Sequence, residues 1–263
     1  MLGITRAAGG LVTLTLDRPD ERNALNAELV GRLTTALAEL AGDASVRVVL
    51  LTGAGKVFCA GADIGEMRAA GRATPDQNEA DSRRFATLLA RLESQPQPTV
   101  AVVNGAAYGG ALGLVSACDI ALAAQSARFA LSEVRLGLVP AMISPYVLRA
   151  IGERQAHRWI LTGEAMDAAT ALRIGLVHEV VEDKSLVRSV QKLADELLAG
   201  GPEALVEAKK LLRRATGRSS AVDESMLTDT ARWIARVRAG DEAAEGLAAF
   251  LDKRPAKWRD PGR

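Results

Sequence analysis

The sequence predicts an α/β core of roughly 200 residues followed by an all-helical tail of about 60, both within ordinary domain sizes. Three observations carry this. Short apolar runs of strand type alternate with helical patterns from Leu11 to Val181, and from Ser185 onward only helical patterning remains. The third is size: 263 residues that are 48% hydrophobic are enough to bury a substantial core. The expected division is a core over residues 1–198 and a helical module over residues 199–263.

Taken in order, "LVTLTL" (Leu11 to Leu16) reads as a strand, "DRPD" as a turn, and Ala27 to Leu40 as a helix. A second strand, Val46 to Thr52, runs through the turn "GAGK" and "VFCAGAD" into a short helical segment. Gly71 to Asn78, with Pro75 inside it, reads as an exposed loop, and Glu79 to Glu93 as a longer helix. Pro96 and Pro98 lead into the strand Thr99 to Val103, then a glycine stretch, then the buried helix "ALGLVSAC". Short strands follow at Ile120 to Ala123 and Arg128 to Leu131, and helical stretches at Ser144 to Ile151 and Glu153 to Leu161. In "MDAATALRIGLVHEVV", Gly175 marks a helix end before a last strand. The tail is broken at "AGGP" (Ala199 to Pro202) and near Gly217 and Gly240. Strand-turn-helix segments recurring without a crisp period point to a coiled stack of similar turns.

Composition excludes several functions. The 33 basic residues nearly cancel the 32 acidic ones, and four Phe, three Trp and two Tyr supply few stacking platforms, so nucleic acid and anionic membranes are disfavoured partners. The start shows no secretory pattern, and the longest apolar stretch, near Ala111 to Ala124, is broken by Asp119, so a soluble, cytoplasmic protein is expected. Cys59 and Cys118 sit in apolar surroundings without metal-type spacing, and His157 and His178 are the only histidines. A disulfide, a bound metal and a Ser-His-Asp site are therefore not expected.

The stretch "VNGAAYGGALG" places glycines at 105, 109, 110 and 113 between apolar runs. It fits no dinucleotide fingerprint, and Gly55 and Lys56 fit no P-loop, because Leu50 and Val57 stand where glycine and Ser or Thr are required. Two loops, "CAGAD" (Cys59 to Asp63) and "AYGGA" (Ala107 to Ala111), each follow a strand and open a helix. Bare backbone there leaves N–H groups free to converge on a ligand oxygen, as in an oxyanion hole. On spacing alone, glycines that merely permit tight turns explain the pattern equally well.

The segments "RPDERNALN", "GAGKVFCAGADIGEM", "VNGAAYGGALGLVSACDIALAAQSARFALSEVRLGLVP" and "FLDKRPAKW" together resemble the enoyl-CoA hydratase/isomerase (crotonase) family, in order and over most of the chain. The resemblance implies a spiral of ββα turns with a C-terminal helical module, trimers often paired into hexamers, and acyl-CoA thioester substrates. Coenzyme A then arrives as part of the substrate, with no separate cofactor. By motif position, the N–H groups of Ala62 and Gly110 would be the oxyanion donors. Backbone around Ala60, Asp63 and Ile64 would hold CoA, Arg22 and Ala24 would lie beside its chain, and Phe250 and Lys253 would reach CoA of a neighbouring subunit.

Glu133 occupies the position of the family's catalytic glutamate, although a lone glutamate after a strand is ordinarily a solvated carboxylate. The two-glutamate hydratases carry their other acid where this sequence has Gly113. Hydration needs water activated at the β carbon and a proton delivered at the α carbon, with enolate charge stabilised between them. An isomerase needs only one base, so Gly113 favours isomerisation on mechanism alone. Against this, "SEVRLGLVPAMISPYVLRAIGE" resembles members assigned to branched glutaconyl-type thioesters, including methylglutaconyl-CoA hydratases, some of which share the glycine. Hydratase is the leading reading, single-base isomerase the second, and a non-catalytic acyl-CoA-binding or RNA-associated scaffold the third.

Other residues carry two readings each. Asp63 with Glu66 matches a capping box. "KKLLRR" (Lys209 to Arg214) could attract CoA phosphates but reads first as a solvated face. Arg135 could meet a second substrate carboxylate, or be a surface cation paired with a neighbour. Tyr108 shapes the acyl pocket or simply packs, and the Gly71 to Asn78 loop is a candidate pocket wall.

Overall fold

The computed structural model describes residues 1–70, 73–215 and 224–259. Strands β1 (Leu2–Ala7) and β2 (Leu11–Leu16) form an antiparallel hairpin in which Leu2 faces Leu16. Helix α1 (Ala27–Ala41) starts where the Asn26 side chain accepts from the Leu29 N–H, and it buries Leu29, Leu33, Ala36, Leu37 and Leu40 on one face. Next come β3 (Val48–Gly53), β4 (Val57–Cys59), α2 (Ile64–Ala70) and α3 (Pro75–Ser94). They are followed by β5 (Thr99–Val103), β6 (Ala106–Tyr108), α4 (Gly110–Ala117), β7 (Ile120–Ala124) and β8 (Arg128–Ala130). A 3-10 turn, Glu133–Leu136, leads to α5 (Ser144–Thr162), which bends at Gly152 between the two helical stretches expected there. The chain continues through β9 (Ala165–Asp167), α6 (Ala168–Arg173), β10 (Glu179–Val181), α7 (Leu186–Ala199), α8 (Pro202–Ala215), α9 (Glu224–Arg238) and α10 (Asp241–Leu251).

The strands form a six-stranded sheet, β1-β2-β3-β5-β7-β10, and a four-stranded sheet, β4-β6-β8-β9. Each pair β3/β4, β5/β6 and β7/β8 puts its first strand in the large sheet and its second in the small one before a helix returns the chain. This is the spiral of ββα turns the resemblance implies. Apart from β1, the large sheet is parallel and buried on both faces. Val49, Leu51, Ala101, Val103, Ala121 and Ala123 join the main core, whereas their alternates Val48, Leu50, Val100, Val102, Leu122 and Ala124 pack beneath α7 at Leu186, Val190 and Ala194.

Two expectations are corrected here. Gly71 to Asn78 is not an exposed loop throughout. Helix α3 already begins at Pro75, with Thr74 and Gln77 forming a capping box, and Asn78 is buried with its amide donating to the Ala70 carbonyl. Proline suits the first helical position because the N–H it lacks has no partner there. Gly71, Arg72 and the break near Gly217 lie outside the described residues. "KKLLRR" is not simply a solvated face either: Lys209 Nζ contacts Asp119 Oδ2 at 2.5 Å and the carbonyls of Gln95 and Gln97 at 2.8 Å each, and Arg213 donates to the Glu93 carbonyl. These two cations tie α8 to the core, while Lys210 pairs with Glu207 at the surface. Cys59 and Cys118 are both free and buried. No helix among the described residues is long and apolar enough to cross a membrane.

Candidate active site

The first glycine loop is held by the segment before α1. Buried Asn23 donates to the carbonyls of Ala54 and Val57, and the Ala60 N–H donates to the Arg22 carbonyl. Leu25 then brackets Ala62 as a parallel bridge: its N–H donates to the Gly61 carbonyl and its own carbonyl accepts from the Asp63 N–H. That pattern uses the residues on either side of Ala62 and turns its N–H away from Leu25. Among the described residues the N–H groups of Ala62, Ile64 and Gly110 make no hydrogen bond. Ala62 is exposed and Gly110 half-buried, so both N–H groups belong to residues that solvent reaches.

The second loop meets the first directly. A β carbon built on Gly61, whose φ is 94°, would stand 2.9 Å from the Tyr108 carbonyl oxygen. Gly109 has φ 55° and ψ −123°, a backbone region that side-chain-bearing residues avoid, and it turns the chain from β6 into α4 so that Gly110 is the first helical residue. Phe85 of α3 and Leu25 lie against Gly110, with a β carbon there falling 3.2 Å from Phe85 Cζ and 3.5 Å from Leu25 Cδ1. Tyr108 is half-buried in the small sheet, paired with Ala130.

That pairing delivers Glu133. The Gly109 N–H donates to the Ala130 carbonyl at 2.9 Å, and three residues later Glu133 brings Oε1 to within 3.3 Å of where a Gly109 β carbon would be. The residue as a whole is half-buried, but Oε2 is shielded from solvent and has no hydrogen-bond partner. Burial pushes the carboxyl up to about 7, against the small opposing effect of its backbone hydrogen bond. Helix α10 closes this turn from outside, since a β carbon on Gly246 would stand 2.3 Å from the Leu136 carbonyl oxygen. Beside it Leu138, Ile234, Ala243 and Leu247 cluster with half-buried Met67 and Met142.

The remaining predicted residues fall as follows. Arg22 is exposed in a left-handed conformation, φ 52°, and Ala24 is buried with its carbonyl accepting from Arg18. Asp63 does cap α2, accepting from the N–H groups of Gly65 and Glu66, but the reciprocal half of the expected box is missing because Glu66 accepts from the Ala27 N–H. Burial raises the Asp63 carboxyl, yet the Arg18 guanidinium at 2.9 Å and the two N–H groups outweigh it and hold the acid below its ordinary value. The Asp63 backbone is engaged on both sides, by Leu25 and by Met67, while the Ile64 N–H, like that of Ala62, is open. Phe250 and Lys253, at the end of α10, are exposed. Arg135 is exposed with Nε 3.4 Å from the Thr162 carbonyl and no ion pair among the described residues. Sequence reasoning missed Arg18, Leu25, Phe85 and the whole α10 cover. Only the helical spacing of Phe85 and Leu89 on α3 signalled any of them, as a buried face.

Two open N–H donors on touching loops, with a carboxyl beside Gly109 whose Oε2 is buried and unpaired, can hold a carbonyl oxygen and move a proton next to it. The family model described as enoyl-CoA hydratase/isomerase matches residues 6–261. The chain is 32% identical over 257 residues to a short-chain-enoyl-CoA hydratase of Clostridium acetobutylicum, covering 95% of each. It is 34% identical over 250 residues to the 2,3-dehydroadipyl-CoA hydratase of Escherichia coli, again covering 95% of each. The solved structure of an enoyl-CoA hydratase from Mycobacterium avium is similar with TM-score 0.86 and 36% identity over 98% of each chain. The chain belongs to the enoyl-CoA hydratase/isomerase (crotonase) family and is an enzyme of that type.

Proposed function

We propose that this enzyme adds water across the double bond of an α,β-unsaturated acyl-CoA thioester, with Glu133 as its acid-base group. The observation that carries the reading is the Glu133 carboxyl, whose Oε1 lies beside Gly109, one residue from the open Gly110 N–H, and whose Oε2 is buried and unpaired. The N–H groups of Ala62 and Gly110 donate to the thioester oxygen and stabilise the enolate charge that develops there. Glu133 takes a proton from water as the hydroxyl oxygen bonds to the β carbon, then returns that proton to the α carbon, so the balance is one water added. Ala60, Asp63 and Ile64, with Arg22 and Ala24, lie beside coenzyme A, which enters with the substrate. Tyr108 borders the acyl group. Phe250 and Lys253 reach the CoA of a neighbouring subunit in a trimer or dimer of trimers, and their exposure in the single chain is consistent with that. The substrate is of the branched glutaconyl type, following the likeness of the segment after Glu133.

The test is loss of enoyl-thioester absorbance with crotonyl-CoA and methylglutaconyl-CoA as substrates. Turnover of either supports the reading, and turnover of neither by the purified protein ends it. A second reading, isomerisation by the single base, is favoured by the bare Gly113 position and is read by conjugated product forming from a 3-enoyl-CoA. Binding of acyl-CoA with neither reaction would leave the non-catalytic scaffold.

A further inference from the structure

Gly113 lies three residues, one helical turn, beyond the Gly110 donor, and the two positions share a face of α4. Phe85 and Leu89, one turn apart on α3, lie against Gly110 and Gly113 respectively. A β carbon on Gly113 would stand 2.4 Å from Ile143 Cγ2, 3.1 Å from Ile143 Cβ and 3.2 Å from Leu89 Cδ1. Carbon atoms in van der Waals contact sit about 3.5–4.0 Å apart, so even an alanine needs Ile143 to move. Movement is resisted. The offending atoms are those next to the main chain of a β-branched residue, stiff at its first torsion, rather than the end of a flexible side chain. Ile143 is 2% exposed and Leu89 0%, and the Ile143 carbonyl is pinned by the N–H groups of Tyr146 and Val147 at the start of α5.

We propose that Ile143, backed by Leu89, is the specificity-determining residue that keeps this site to a single carboxylate. Hydration takes two proton transfers, one from water and one to the α carbon. In the two-glutamate hydratases that the sequence resembles, the second acid stands at the position of Gly113, and here hydrocarbon already fills that space. Glu133 therefore works alone, and Gly113 is bare because Ile143 stands over it. The inference rests on the hydratase reading of Glu133.

The experiment compares the parent with Gly113→Glu, Ile143→Gly and the double variant, by thermal melting and by kcat and KM on crotonyl-CoA. Each single variant is expected to melt lower by roughly 5–10 °C, one from overpacking and the other from a cavity. The double variant should melt several degrees above the sum of the two losses and raise kcat at least about tenfold with little change in KM. Should Gly113→Glu fail to fold, Gly113→Ala with and without Ile143→Ala gives the same melting comparison. Gly113→Glu as stable as the parent, or additive losses, overturns the packing pair. Coupled melting with an unchanged kcat overturns the specificity role, because packing alone moves only the melting temperature. Failure of the hydratase reading is seen separately, as a parent with no turnover.

Discussion

Glu133 is the residue on which acidity and stability meet and on which the proposed activity rests. An acid moved from 4.5 to about 7 by burial stays protonated in the folded chain over a range where the unfolded chain has lost its proton. Its contribution to stability is therefore full below pH 4.5 and is lost as pH rises to about 7, by an amount on the order of 3 kcal/mol. Glu133→Gln should flatten that dependence and make the protein more stable than the parent at pH 8, measured by urea unfolding across pH. The same substitution should lower kcat by about 10²–10⁴-fold, because in the proposed mechanism it removes the group that accepts the proton. In the parent, kcat/KM should rise with pH through a midpoint near 7, where the free carboxylate becomes the populated form. A midpoint near 4.5 would mean that the carboxyl is solvated in the working enzyme.

At the scale of elements, the two glycine loops meet because Gly61 and Gly109 take backbone conformations that other residues rarely adopt. Gly109→Ala forces a side chain into φ 55° and sets its β carbon 3.3 Å from Glu133 Oε1. A stability loss of about 1–3 kcal/mol is expected together with a fall in kcat, since the Gly110 donor and Glu133 shift relative to each other. Unchanged kcat and melting would show that the loop is not held in this shape for catalysis. Most elements were legible because helix and strand periods are local. Those that escaped have physical reasons: β1 is exposed along four of its six residues and shows no buried alternation, and the three-residue β6 and β9 are too short to show a period. The start of α3 was hidden by Pro75, which serves loops and first helical turns alike.

Over the whole molecule, the C-terminal helices pack against the elements that carry the candidate site. Helix α10 lies on the Glu133 turn through Gly246, and α9 joins α3 with ion pairs from Arg83 to Glu224 and from Arg232 to Glu79. Gly246→Leu should lift α10 from Leu136, admit water to the Glu133 carboxyl and move the kcat/KM midpoint from about 7 towards 4.5. A melting-temperature loss with an unmoved midpoint would show that the helix supports the fold without controlling the acid.

By itself the sequence determined the alternating core, the helical tail, both glycine loops and the position of Glu133, because periodicity, turn chemistry and motif order are properties of neighbouring residues. Only the tertiary structure decided which groups those features leave free. The Ala62 N–H is open because Leu25, far earlier in the chain, takes the bonds on either side of it. Lys209 is committed because Asp119 and two carbonyls surround it. The closure over Gly113 comes from segments distant in sequence, Ile143 and Leu89, and the acidity of Glu133 comes from its burial in the folded chain. Desolvation and excluded volume arise only when those segments meet in space, and no local pattern encodes them.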